Sequence, residues 1–197
     1  MEIKFLGTNV KISFLFVAFI TIMIFIDKTG LVIPLILAVF VHESAHLLMM
    51  KKFGVSPKEI TLIPGAIQIV NYHTVERKKE NAILLAGPLS NLLLFLLFLG
   101  AFSLTKNTVI MRFCAVQLVI FAFNLIVAKG LDGGTLFFNI CAEKFGENLA
   151  RILLNIFSFL SAFFIAMIGI YYLLNGTANI SIFILAIYIL VFTFIKN

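Results

Sequence analysis

Apolar residues along this chain come in long unbroken runs, and the polar residues collect in the gaps between them. Six runs stand out, at about 10–26, 31–50, 82–104, 108–128, 151–174 and 179–195. A helix that crosses a bilayer needs roughly 17–25 mostly apolar residues, and the runs have that length. The pattern predicts an all-α polytopic membrane protein with about six transmembrane helices. The first run has a basic flank, and no small-residue cleavage site follows it, so it reads as a retained first span or signal anchor.

The longest gap, Lys51 to Asn81, has a different rhythm. Glu59-Ile60-Thr61-Leu62-Ile63 and Ala66-Ile67-Gln68-Ile69-Val70 are β-branched and partly alternating, with Pro64-Gly65 between them. That is the signature of a β-hairpin. It predicts a small membrane-associated hairpin between the second and third helices. Such a hairpin serves either as plain surface or as a strand edge that captures an extended peptide. No repeat, low-complexity tract or separate soluble region interrupts the rest. The expectation is a single membrane-embedded domain over 1–197, with its working core at about 31–140.

Composition agrees with the pattern. The 197 residues are 62% hydrophobic and 12% charged, where a soluble domain carries about 25% charged residues. The net charge of +6 comes from bases that flank apolar runs and form no stripe, which favours anionic lipid headgroups over nucleic acid as their partner. The two cysteines, Cys114 and Cys141, imply neither a disulfide framework nor a CxxC metal site.

Charge also sets an expected orientation. With the N-terminus in the cytoplasm, the inner segments hold twelve of the fifteen Lys and Arg residues; the outer ones hold only Lys28, Lys106 and Arg112. By the positive-inside rule both termini are then cytoplasmic. The second helix leaves the membrane near Met50, so residues 42–46 lie roughly 6–12 Å from its inner end at about 1.5 Å per residue. The chemistry is expected in the cytoplasmic half of the bilayer.

That chemistry is concentrated in His42-Glu43-Ser44-Ala45-His46, inside the second apolar run. A charged side chain at bilayer depth costs on the order of 2.5–3.5 kcal/mol or more, so three ionisable groups in five residues point to a site. HExxH on a helix puts both imidazoles on one face, where they can share Zn2+, and leaves the Glu to activate water. A catalytic zinc also needs a third protein ligand. In the C-terminal half the acid that interrupts apolar sequence is Asp132, in Lys129-Gly130-Leu131-Asp132-Gly133-Gly134. It reads either as a turn acid capping the next helix or, given HExxH, as that ligand. His73, among Asn71, Tyr72 and Thr74, is the weaker candidate. Asn91 and Asn124 are amides within apolar runs. Each serves either as packing glue between helices or as a group that orients a ligand or binds an oxyanion.

Taken in order, HESAH in an apolar helix, Ile63-Pro64-Gly65-Ala66, Ala86-Gly87-Pro88 with Asn91, and Asn124 before Leu131-Asp132-Gly133-Gly134 resemble the site-2 protease family of intramembrane zinc metalloproteases, and within it the small sporulation type. The resemblance implies that His42, His46 and Asp132 bind zinc, that Glu43 is the general base, and that Asn124 lies beside the site. It also implies a multi-pass protein of the bacterial cell membrane acting on a membrane-tethered protein, which for the sporulation members is a sigma-factor precursor, with a membrane regulator protein as a further partner. The chain departs from the family pattern at Ala45, where Gly is usual, and at Val127 and Gly130, where prolines are common; no PDZ insertion or C-terminal CBS domain is expected within these residues. The competing readings are a transporter or channel that binds a divalent cation at the same residues, and an inactive relative that only holds peptides.

Overall fold

The computed structural model describes residues 2–5, 8–55, 57–63, 66–71, 75–176 and 180–195. The chain is mostly helical and forms two compact units, 1–121 and 122–197.

The first unit opens with a sheet. Strands β1 (Glu2–Phe5), β2 (Thr8–Ile12), β3 (Pro57–Ile63) and β4 (Ala66–Asn71) form a four-stranded sheet in that order. β3 and β4 pair antiparallel from Pro57↔Asn71 to Ile63↔Ala66, and β2 runs parallel to β3 with Asn9 opposite Glu59. The Lys11 ammonium lies 2.9 Å from the Glu59 carboxylate, tying the two strands through side chains as well. This corrects the expected fold on two counts. The β structure is twice the expected hairpin, and residues 10–12 belong to it instead of to the first span.

The first helix, α1 (Phe14–Ile26), is therefore only 13 residues long. Ser13 caps it, its hydroxyl accepting the Phe16 N–H at 3.1 Å. A tight turn separates α1 from α2 (Val32–Lys52). Asp27 builds that turn: one carboxylate oxygen accepts the Thr29 N–H, the Thr29 hydroxyl and the Gly30 N–H, and the other accepts the Val32 N–H at 2.9 Å. The Thr29 hydroxyl and the Val32 N–H are the main cause of a carboxyl pKa lowered from 3.8 to about 2. Pro34 falls in the first turn of α2, where a missing N–H costs nothing. Lys51 and Lys52 close the helix at its negative end.

α3 (Arg77–Thr105) packs against α2. It begins five residues before the apolar run does. It contains Pro88, which lacks the N–H that would bond the Leu84 carbonyl. α4 (Thr108–Asn124) follows and crosses into the second unit at its last turn.

In the second unit α4 ends four residues earlier than the apolar run suggests, and residues 125–131 are irregular. α5 (Asp132–Phe145), α6 (Glu147–Leu174) and α7 (Ile180–Ile195) complete the chain. α5 is not among the expected spans. Its apolar residues are interrupted by polar ones, and Gly133, Gly134, Asn139, Cys141 and Ala142 are buried. Ala128, Leu131, Ala162 and Ile189 form one core and Cys141, Ala142 and Ala150 another.

Among the described residues, α2, α3 and α6 are long and apolar enough to cross a membrane; α1, α4 and the apolar part of α7 are shorter. That supports a polytopic helical membrane protein, with three spans carried by length and composition.

Candidate metal centre

The two histidines of HExxH are 4% and 7% exposed on α2, four residues apart and so on one face. Their Nε2 atoms lie 3.1 Å apart, and the rings meet edge to face. Each ring is held from behind by α3. His46 Nδ1 lies 2.7 Å from the Ile83 carbonyl, which can only accept, so His46 carries its proton on Nδ1. His42 Nδ1 lies 2.7 Å from Asn91 Oδ1. Asn91 Nδ2 meanwhile donates to the Ala38 carbonyl at 3.1 Å and to Gln117 Oε1 at 2.6 Å. Both amide hydrogens are thereby spent, the Asn91 oxygen must accept, and His42 too is protonated on Nδ1.

Two imidazoles held this way turn their Nε2 atoms, the ring nitrogens left over for a ligand, toward each other at 3.1 Å. Lone pairs at that separation repel unless a cation lies against both. The arrangement matches zinc-ligating histidines, which almost always donate the other ring N–H to a carbonyl or carboxylate. The donor pair therefore fits a metal ion.

Gly87 makes room for the pair. A Cβ at this position would collide with His46 Nε2 and lie 2.7 Å from His42 Cε1 and Nε2. Only a glycine lets α3 run this close to the ligand nitrogens. Ser90 returns its hydroxyl to the Gly87 carbonyl at 2.6 Å, and the next residue is Asn91, which is fully buried. Ala86-Gly87-Pro88-Leu89-Ser90-Asn91 thus works as one device: space for the metal side of the rings, and a hydrogen-bond partner behind one of them.

Glu43 follows His42 on α2 and is half-buried. Asn124 is the last residue of α4 and Asp132 the first of α5; both belong to the second unit. Asp132 is placed by backbone packing. A Cβ on Gly133 would lie 2.9 Å from the Ile126 carbonyl oxygen, and one on Gly134 2.6 Å from the Ala128 carbonyl carbon. The two glycines let α5 start hard against the irregular segment. That segment is pinned in turn by α6, with the Lys129 N–H donating to Ser158 and the Ser161 hydroxyl to the Val127 carbonyl. The Lys129 ammonium reaches Asn155 and the Thr193 carbonyl. His73 lies outside the described residues.

Sequence reasoning passed over Gln117 and the Ile83 carbonyl. Gln117 carried a signal, being an amide in the middle of an apolar run. The carbonyl carried none, because every residue has one.

Residues 30–115, which hold HExxH, both sheet strands β3 and β4, and Asn91, match the model of Peptidase family M50. The match covers HExxH and the Ala86-Gly87-Pro88 to Asn91 stretch, two of the motifs that carry the family resemblance. The curated Zinc metalloprotease MJ0392 of Methanocaldococcus jannaschii is 26% identical over 156 residues, 73% of this chain and 45% of the relative. This chain thus spans less than half the length of that relative. The solved Site-2 Protease from Methanocaldococcus jannaschii has the same fold, with a TM-score of 0.72 at 21% identity over 98% of this chain and 93% of that one.

Proposed function

We propose that this protein is an intramembrane zinc metalloprotease that cleaves a membrane-tethered protein in or near its transmembrane segment. The observation that carries the reading is the pair of Nδ1-protonated, back-braced imidazoles with facing Nε2 atoms, set within an M50 match. His42, His46 and Asp132 offer two imidazole nitrogens and a carboxylate oxygen, a three-ligand set of the kind a catalytic zinc uses while keeping a fourth position open. Bound there, zinc would lower the pKa of water toward about 7 and polarise a carbonyl.

The chain's own residues do the rest. Glu43 takes the proton of the attacking water and delivers it to the leaving amine. Asn124, a neutral donor, stabilises the oxyanion. Asn91 and the Ile83 carbonyl hold the two rings. A substrate helix hides its scissile carbonyl in an i to i−4 bond, so it must unwind locally before it can be cut. The polar edge of the hairpin around 59–70 offers such a segment a strand partner. The twelve-to-three distribution of Lys and Arg supports cytoplasmic termini and a site reached from the cytoplasmic half. A sporulation sigma-factor precursor is the substrate to try first, with a membrane protein regulator.

The test is metal content with activity. Purified protein should hold one zinc per chain, lost in Asp132→Ala, and Glu43→Gln should keep the zinc while cleaving a co-expressed membrane-tethered substrate ~10²–10⁴-fold more slowly. A metal-free folded protein, or a Glu43→Gln variant that cuts at the wild-type rate, overturns the reading. The first outcome leaves a peptide-binding relative, and zinc carried across vesicles without cleavage would indicate a transporter.

A further inference from the structure

Gln117 sits in the middle of α4 and is 1% exposed. A buried amide is costly unless its hydrogen bonds are made, and this one is placed where no catalytic motif calls for it. Its oxygen accepts from Asn91 Nδ2 at 2.6 Å, a shorter contact than the 3.1 Å from the same nitrogen to the Ala38 carbonyl. Ala38 lies on the α2 ladder, where its carbonyl also serves the helix's own i to i+4 bond. The undivided acceptor for Asn91 is therefore Gln117.

We infer that Gln117 is a positioning residue for the metal ligand His42, acting through Asn91 in a hydrogen-bond relay that passes from α4 through α3 to α2. The inference deepens the metalloprotease reading and rests on it for its consequence. The sense of the relay follows from the chemistry of each member. The Gln117 carbonyl accepts, so the Asn91 amide donates. With its nitrogen committed, Asn91 faces His42 with its oxygen, and His42 must donate from Nδ1. Nε2 is then left as a lone pair directed at His46. An apolar side chain at 117 strands one Asn91 N–H in a site sealed from water. The amide is then oriented by the Ala38 carbonyl alone, and with one anchor lost its oxygen holds the His42 Nδ1–H less firmly. The ring is then free to take the other tautomer, with the proton on Nε2, the atom that must hold the metal. His46 stands outside the relay, because its Nδ1 is held by the Ile83 carbonyl.

The experiment uses the full chain in lipid nanodiscs with ¹⁵N-labelled histidine, read two ways: ring tautomers of the metal-free protein by NMR, and zinc affinity by chelator competition. Wild-type protein should show both His42 and His46 as the Nδ1–H form. Gln117→Met should populate the Nε2–H form at His42 alone and weaken zinc binding roughly 10- to 100-fold. Gln117→Glu keeps a carbonyl at the same reach and should restore both readouts. Gln117→Asn keeps an amide but withdraws it by one methylene, so it should behave like Gln117→Met and serves in its place if that variant does not fold. Wild-type zinc binding with an unchanged His42 tautomer and affinity in both Gln117→Met and Gln117→Asn overturns the relay alone. A wild-type protein that binds no zinc overturns the metalloprotease reading, and the positioning role with it. Equal tautomer changes at His42 and His46 would mean general loosening of the fold and would also refute the relay.

Discussion

Replacing Gly87 with alanine adds one methyl group at the point where α3 faces the histidine pair. Two effects of opposite sign follow. Alanine is favoured over glycine inside a helix by about 1 kcal/mol, so backbone propensity alone predicts a gain. The new Cβ, however, would stand 2.7 Å from His42 Cε1 and Nε2 and closer still to His46 Nε2. Against an ordinary contact of about 3.5–4.0 Å, that is an overlap of roughly 1 Å. A flexible side chain could yield, but these rings are fixed at Nδ1 by 2.7 Å bonds to Asn91 and Ile83. Overpacking of this kind costs about 1–3 kcal/mol, and here it falls on the two ligand nitrogens. At 1.4 kcal/mol per factor of ten, zinc affinity should drop about 5- to 150-fold. Gly100→Ala is the control on the same helix, since a Cβ there meets nothing within 4 Å. It should leave zinc binding unchanged and raise the unfolding midpoint slightly. Chelator competition and thermal unfolding of the three proteins read both effects. Should Gly87→Ala bind zinc as tightly as wild type, the Nε2 atoms do not face α3 and the account of the pair is wrong.

Two further outcomes test the surroundings of the site. Gly134→Ala sets a Cβ against the Ala128 backbone, 2.6 Å from its carbonyl carbon and 3.1 Å from its nitrogen; since backbone cannot step aside cheaply, the variant should lose about 1–3 kcal/mol, seen as a lower unfolding midpoint, and an unchanged midpoint would refute the close approach of α5 to that segment. Asp27, held at a pKa of about 2 by the Thr29 hydroxyl and the N–H groups of the turn, has a folded pKa below its unfolded value, so its contribution is full above about pH 4 and is lost as pH falls through about 2. Asp27→Asn should therefore be less stable than wild type near neutrality, with the difference shrinking as pH falls toward 2; a difference independent of pH would refute the turn's reliance on the charge.

The parts of this protein that were legible in its sequence are those in which local spacing decides geometry. HExxH places His42 and His46 on one face because a helix repeats every 3.6 residues, and Asn91 stood out as an amide in an apolar run. The strands at residues 2–12 were not legible. The strand that joins them to the hairpin, β2, pairs with β3 some 50 residues away and parallel to it, and no local pattern announces a pairing at that distance. Residues 10–12 merge with the apolar run behind them, and the end of β2 was absorbed into a span. α5 failed for a different reason. The buried face of α5 uses glycine, alanine, asparagine and cysteine, and a search for long apolar stretches passes over such a helix. Gln117 was visible as a letter but not as a role, since it lies two helices on from the motif and its purpose depends on Asn91 in between.

Asn91, Gln117 and the Ile83 carbonyl, which brace the histidine pair, all lie on α3 and α4 within the first 121 residues of the chain. During synthesis that half is made first and folds first. The carboxylate at 132 belongs to a segment that emerges afterwards, together with the helices that pin it. A ribosome that stalls midway, or a chain clipped in α4, therefore leaves in the membrane a pair of nitrogen ligands with no third ligand from Asp132. On the proposed reading the order of translation itself acts as a safeguard: the ligand set stays incomplete until the stretch that carries Asp132 has been made.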